Sequence, residues 1–211
     1  MTSKFGFFFD LDGTLTDNLE FMFEGYRTFM SRHGLPYSKE QFNHYNGTPL
    51  KDFLFYTKNK HNIKKTIDEL LSSYEKIIDN SHSMIAPREG VVELFSILVK
   101  RNIPFAIVTS SKRNIASNWI KSNVPDNLRP PLVTSDDYKE GKPSPYPYLL
   151  AMEELGCKNG YAVEDSENGV LSAFSAGLKV LQIGPEKNIK FSNTWEKISS
   201  FNEVTCIVNE L

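Results

Sequence analysis

Apolar residues along the chain fall into two alternating kinds of run. Short continuous ones stand at Phe5–Phe9, Phe105–Val108, Leu132–Val133, Tyr161–Val163, Val180–Ile183 and Val204–Val208. They are brief and not strictly alternating, so they predict strands covered on both faces, as in a parallel sheet. Between them the apolar positions recur at helical spacing, as at Val91, Val92, Leu94, Phe95, Leu98 and Val99. Ser144 predicts a helix N-cap followed by Pro145 at the first helical position, where its missing N–H costs nothing. Ser166 predicts another N-cap, for a helix running to Ala176 and stopped by Gly177. Strands alternating with helices predict an α/β fold: a doubly wound parallel sheet, Rossmann-like in its core.

One stretch breaks the alternation. From Asn18 to about Ile85 there are helical stripes and no strand pattern. Leu19, Met22, Phe23, Tyr26, Phe29 and Met30 form one stripe, ending at Gly34. Ile63, Ile67, Leu70, Leu71, Tyr74, Ile77 and Ile78 form a longer one. These predict an all-helical cap domain at 18–85, inserted into a core domain made of 1–17 and 86–211. The hinges fall near Asp17–Asn18 and Ala86–Pro87. The aromatic residues Phe21, Phe23, Phe29, Phe53, Phe55 and Tyr56 are expected to build the cap's core.

Composition narrows the possibilities. The 211 residues are 40% hydrophobic and 24% charged, enough apolar material for a core. A net charge of -2 argues against a general nucleic-acid binder. The apolar run near the start is too short for a membrane span or signal peptide, which leads to the expectation of a cytoplasmic protein. Cys157 and Cys206 stand far apart without metal-ligand spacing and predict two reduced thiols. The Asn46-Gly47-Thr48 triplet is read as a chance match to a glycosylation site.

In open α/β sheets, ligands bind beyond the carboxyl ends of the strands. Asp10, Asp12, Gly13 and Thr14 follow the first predicted strand; Thr109, Ser110 and Ser111 follow the second. Lys142 comes from "EGKPSP", and Glu164, Asp165 and Ser166 follow Tyr161–Val163. Carboxylates gathered this closely repel one another, and a divalent cation resolves the conflict. All-oxygen ligation favours Mg2+. A lysine and several hydroxyls beside it suit a phosphate group. One carboxylate can then attack phosphorus while a second gives and takes the proton.

"DLDGTLTD" resembles the first motif of the haloacid dehalogenase superfamily, Asp-x-Asp-Gly-Thr/Val. "IVTSS", "GKPSPYPYL" and "VEDSENGVLSAFSAG" are similar to the other three motifs, in the family's order. The resemblance extends from residue 5 to about 184 and includes the cap only in position and helical character. It implies Asp10 as nucleophile and Asp12 as general acid/base. Thr109, or its neighbour Ser110, and Lys142 would bind phosphate. Mg2+ would be held by Asp10, Asp165 and the backbone carbonyl of Asp12, with Glu164 as a further acidic partner. "NGTPLKDF" is similar to a cap loop of phosphoglycolate-type phosphatases and would bring Thr48 and Lys51 to the leaving group.

The expected function is therefore a Mg2+-dependent phosphatase of a small phosphate monoester, phosphoglycolate or a sugar phosphate, acting through an aspartyl-phosphate. The partner is a small phosphorylated metabolite, with no nucleic acid or membrane, and the protein a monomer or homodimer. The alternative within the same branch is a β-phosphoglucomutase, because Thr16 before Asp17 is similar to that group's hinge. The mutase cap, however, offers an arginine where Pro49, Leu50 and Lys51 stand here. Dehalogenation is disfavoured by Asp12, and a non-catalytic phosphate-binding module by the full set of reactive residues. Gly141-Lys142 lacks the other residues of a Walker loop. His33, His44, His61 and His82 share no ligand spacing and are read as surface or cap-packing residues.

Overall fold

The computed structural model describes residues 4–46, 48–78, 82–184 and 195–211, the side chain of Trp195 excepted. Six parallel strands form one sheet: β1 (Lys4–Phe9), β2 (Phe105–Val108), β3 (Leu132–Val133), β4 (Cys157–Glu164), β5 (Lys179–Gln182) and β6 (Trp195–Lys197). Their order is β3-β2-β1-β4-β5-β6, so β1 is central, between β2 and β4.

Alternation along β1 shows why it sits there. Phe7 and Phe9 enter one core cluster and Phe8 the other, and all three are fully buried. Each contributes about 1.5–3 kcal/mol relative to an exposed ring. The first cluster is covered by α5 (Val91–Lys100), α6 (Arg113–Asn123) and α9 (Phe201–Glu210). The second is covered by α7 (Tyr146–Leu155) and α8 (Glu167–Ser175). The fold is thus a doubly wound α/β core with an inserted helical cap.

The cap helices are α1 (Leu19–Arg32), α2 (Lys39–Tyr45), α3 (Leu50–Lys60) and α4 (Ile67–Ile78). They share a cluster of their own around Tyr26, Phe29, Phe53, Leu54, Leu70 and Tyr74. The predicted aromatic core is only partly right: Phe29 and Phe53 are buried, whereas Phe55 and Tyr56 face outward. The start of α7 falls one residue after the predicted start, with Pro145 at the cap position. Ser166 caps α8 as expected, accepting from the Gly169 N–H at 3.1 Å.

One predicted strand is a helix. Val204–Val208 lies inside α9, where Phe201, Val204 and Val208 are buried at helical spacing and Cys206 is exposed. The sixth strand is instead Trp195–Lys197, paired with β5. Gly47, within the Asn46–Gly47–Thr48 triplet and the predicted cap loop, lies outside the described residues. Among the described residues no helix is long and apolar enough to cross a membrane.

Candidate active site

The carboxyl ends of β1, β2 and β4 meet beneath the cap. Asp10 follows β1 directly, and its N–H donates to the Val163 carbonyl of β4 at 3.0 Å. That bond continues the ladder one residue beyond the strand and fixes the Asp10 backbone. The chain then turns through Gly13 at φ +93°. A Cβ there would stand 2.4 Å from Asp165 Oδ2, so only glycine permits this approach of the loop to Asp165.

The deepest charge is Lys142. Its ammonium donates to Asp10 Oδ1 at 2.7 Å, to the Val108 carbonyl at 2.9 Å and to Glu164 Oε1 at 2.5 Å. All three donor positions of the ammonium are used. Burial opposes the charge on Lys142, but Asp10 and Glu164 outweigh it and push its pKa well above the usual value. Asp10 also moves upward: burial is the largest cause, and the charges of Glu164 and Asp165 add to it against Lys142. One ammonium does not balance three carboxylates.

Ligand atoms of Asp10, Glu164 and Asp165 lie within 4.8 Å of one another, and all three residues are buried. The donor set is all oxygen and carries surplus negative charge, so these residues fit a hard divalent cation. Asp165 Oδ1 accepts from the Thr14 hydroxyl at 3.2 Å, and Oδ2 from Asn46 of the cap at 3.2 Å. Glu164 is engaged from several sides: Tyr148 donates to Oε1 at 2.6 Å and Ser166 to Oε2 at 3.3 Å.

Thr109 is buried, and its hydroxyl oxygen accepts from the Ser111 N–H at 3.0 Å. Thr109, Ser110, Thr48 and Lys51 all line the same cavity as Asp10 and Asp12, with a volume of about 570 Å3. Thr48 donates its hydroxyl to the Tyr45 carbonyl at 2.6 Å, while Lys51 is exposed at the rim. Asp165 lines the chamber too, whereas Lys142 and Glu164 lie behind its wall, fully buried and joined to it through Asp10. Lys112 and Glu75 form an ion pair between core and cap beside it.

Sequence reasoning missed His82. It is buried, not a surface or cap-packing residue, and its Nε2 lies 2.5 Å from Asp12 Oδ1. Asn18 also donates to that oxygen at 2.6 Å, and Ser111 donates to Oδ2 at 2.6 Å. Burial raises the Asp12 pKa, but the His82 charge and these hydrogen bonds outweigh it and hold it at about 2. His82 follows no predicted strand and belongs to no motif, so nothing in the sequence marked it for this contact.

Geometry of this kind, paired aspartates after a central strand with a buried lysine and a second acidic pair beside them, defines a phosphoryl-transfer class of site. A family described as haloacid dehalogenase-like hydrolase matches residues 7–183, and the chain belongs to that family. Hexitol phosphatase A of Escherichia coli is 34% identical over 184 residues, covering 84% of this chain and 82% of that protein. Pyrophosphatase PpaX of Halalkalibacterium halodurans is 29% identical over 180 residues, covering 83% and 81%. A β-phosphoglucomutase structure from Clostridium difficile superposes with TM-score 0.85 at 19% identity, covering 98% and 96% of the two chains. At that identity the likeness speaks for the fold. The chain is an enzyme of this hydrolase family.

Proposed function

We propose that this enzyme hydrolyses a small phosphate monoester by passing the phosphoryl group through Asp10. The observation that carries the reading is the approach of Lys142 to both Asp10 and Glu164 in a buried, electron-rich corner, with Asp12 close by. Asp10 attacks phosphorus: an oxygen–phosphorus bond forms at its carboxylate as the bond to the leaving oxygen breaks. Asp12 gives its proton to that leaving oxygen and then takes one from the water that cleaves the aspartyl-phosphate. Asp12 is ionised in the present arrangement, and an anionic phosphoryl group placed beside it raises its affinity for a proton. Thr109 and Ser110 hold the phosphoryl oxygens; Lys142, expected from the sequence to bind them too, spends its three donors on Asp10, the Val108 carbonyl and Glu164 and contributes its charge from behind Asp10.

Asp10, Asp165 and the Asp12 backbone carbonyl would hold Mg2+, with Glu164 completing the acidic set. When bound, the cation offsets negative charge on the phosphoryl group and on the carboxylates.

Residues 18–85 act as a lid over a core of 1–17 and 86–211. What supports this division is the separate core of the four cap helices and the bridge between Thr16 and Pro87, where the two connecting segments meet. The chamber is larger than phosphoglycolate needs, and its rim carries Lys51 and Thr48, which favours a sugar or polyol phosphate. The named sequence relatives are phosphatases, which favours water over a second sugar hydroxyl as acceptor.

The test is p-nitrophenyl phosphate turnover with Mg2+ and with a chelator, in wild type and Asp10→Asn. Turnover should need both the metal and Asp10; equal rates in all samples would end this reading. Incubating the enzyme with β-glucose 1-phosphate and a bisphosphate primer distinguishes the mutase: glucose 6-phosphate without free phosphate would replace hydrolysis by transfer.

A further inference from the structure

The geometry points to His82 as a positioning residue that aims the Asp12 carboxylate at the leaving oxygen. The inference rests on Asp12 acting as the acid in the proposed reaction. His82 belongs to none of the sequence motifs. It opens a single 3-10 turn, His82–Met84, just before the second hinge.

That turn is held against α6. The Trp119 indole N–H donates to the Ile85 carbonyl at 2.8 Å, and Asn123 Nδ2 donates to the Ser83 carbonyl at 2.9 Å. The Ile85 N–H closes the turn on the His82 carbonyl at 3.2 Å. The imidazole therefore projects from an anchored backbone, and its side chain is only 6% exposed.

Its contacts leave one role for the ring. Nε2 faces Asp12 Oδ1, whereas Nδ1 is buried with no hydrogen-bond partner among the described residues. The nitrogen that faces the carboxylate carries hydrogen and donates it to Asp12 Oδ1. His82 and Asn18 together hold Oδ1, and Ser111 holds Oδ2, so rotation about the Asp12 side chain is blocked from both ends. Asn18 comes from the first connecting segment and His82 from the second. Without His82, the segment that leaves the cap no longer holds the carboxylate.

A residue that aims a general acid matters most where the leaving group is poor. Phenolate needs the proton, and p-nitrophenolate departs largely without it. The experiment is therefore kcat/KM for phenyl phosphate and p-nitrophenyl phosphate in wild type, His82→Leu and His82→Gln, all with Mg2+. The ratio kcat/KM reports the first phosphoryl transfer, the step in which Asp12 gives its proton.

His82→Leu should lose about 10–100-fold on phenyl phosphate, part of the range typical of acid–base catalysis. On p-nitrophenyl phosphate it should lose no more than a few-fold. His82→Gln keeps a donor nitrogen and should recover most of the phenyl phosphate rate. In His82→Leu, equal losses on both esters, or no loss on either, would overturn the positioning role. If His82→Leu does not fold, a His82→Gln enzyme that folds yet shows equal losses on both esters overturns it as well. A wild-type enzyme inactive on both esters would strike the proposed function itself, a separate result from failure in the variants.

Discussion

Lys142 and Asp10 stand 2.7 Å apart, with the lysine side chain wholly shut off from solvent. Such a pair gains little over well-packed apolar residues, but losing one partner leaves charge stranded in the interior. The pairing is therefore better understood as a device for holding the Asp10 carboxylate in place than as a source of stability.

Lys142→Met removes the only cation that touches Asp10 and Glu164 among the described residues. We expect a loss of about 3–5 kcal/mol at neutral pH, read by urea unfolding of the metal-free protein. The pH trend has a definite sign. Asp10 already has a raised pKa, and without Lys142 it rises further, so the folded state binds the extra proton. Stability of the variant relative to wild type should recover as pH falls. A deficit unchanged between neutral and mildly acidic pH would contradict this.

Magnesium binding should weaken in acid. Burial and the neighbouring Glu164 and Asp165 carboxylates lift Asp10 above the usual carboxylate range despite Lys142. Protons and Mg2+ thus compete for the same oxygen. Titration calorimetry across a pH series should show affinity falling with pH, and protons released on binding at the acidic end. Affinity that is flat over the series would count against Asp10 as a ligand.

Gly169 lies in the first turn of α8, against the Glu164 carboxylate. A Cβ at this position would come within 2.0 Å of Glu164 Oε2, so Gly169→Ala must displace the carboxylate that Lys142 and Tyr148 hold. The expected result is a folded protein with kcat reduced about tenfold or more, the scale of a misaligned reacting group. Activity at the wild-type level would show that Glu164 has no part in positioning Lys142.

Asn46 ties the cap to the site through Asp165 Oδ2, and Asn168 donates to the Asn46 carbonyl at 3.2 Å. Asn46→Ala should raise KM several-fold for the physiological ester while changing thermal stability little, because one partly buried hydrogen bond is worth about 0.5–1.5 kcal/mol. A change in kcat with KM untouched would place Asn46 in the chemistry and not in lid closure.

Much of this was legible in the chain alone. The buried strands announced themselves because parallel strands covered on both faces need unbroken apolar runs, as in Phe7-Phe8-Phe9. Val204–Val208 misled because its β-branched residues imitate such a run. The helical signal lay outside it, in Phe201 and in Ser200 three residues before Glu203, a capping spacing. Ser199 does donate to Glu203, through its N–H at 2.8 Å and its hydroxyl at 2.6 Å. The strand Trp195–Lys197 is too short and too polar to show a pattern. Asp10, Asp12, Lys142 and Asp165 were readable because each sits at a strand end or motif loop. His82 was not, since it stands at no strand end and in no motif loop, opening a 3-10 turn instead.

The central claim is covalent transfer to Asp10, and rapid quenching addresses it most directly. Asp12→Asn enzyme, slowed in releasing the phosphoryl group, is mixed with 32P-labelled p-nitrophenyl phosphate, whose leaving group departs largely without the Asp12 proton, and with Mg2+, then quenched in acid and digested. The account predicts acid-stable, base-labile label on the peptide that carries Asp10, approaching one phosphoryl group per chain. Free phosphate released at the wild-type rate with no label on that peptide, or label on another residue, would contradict it.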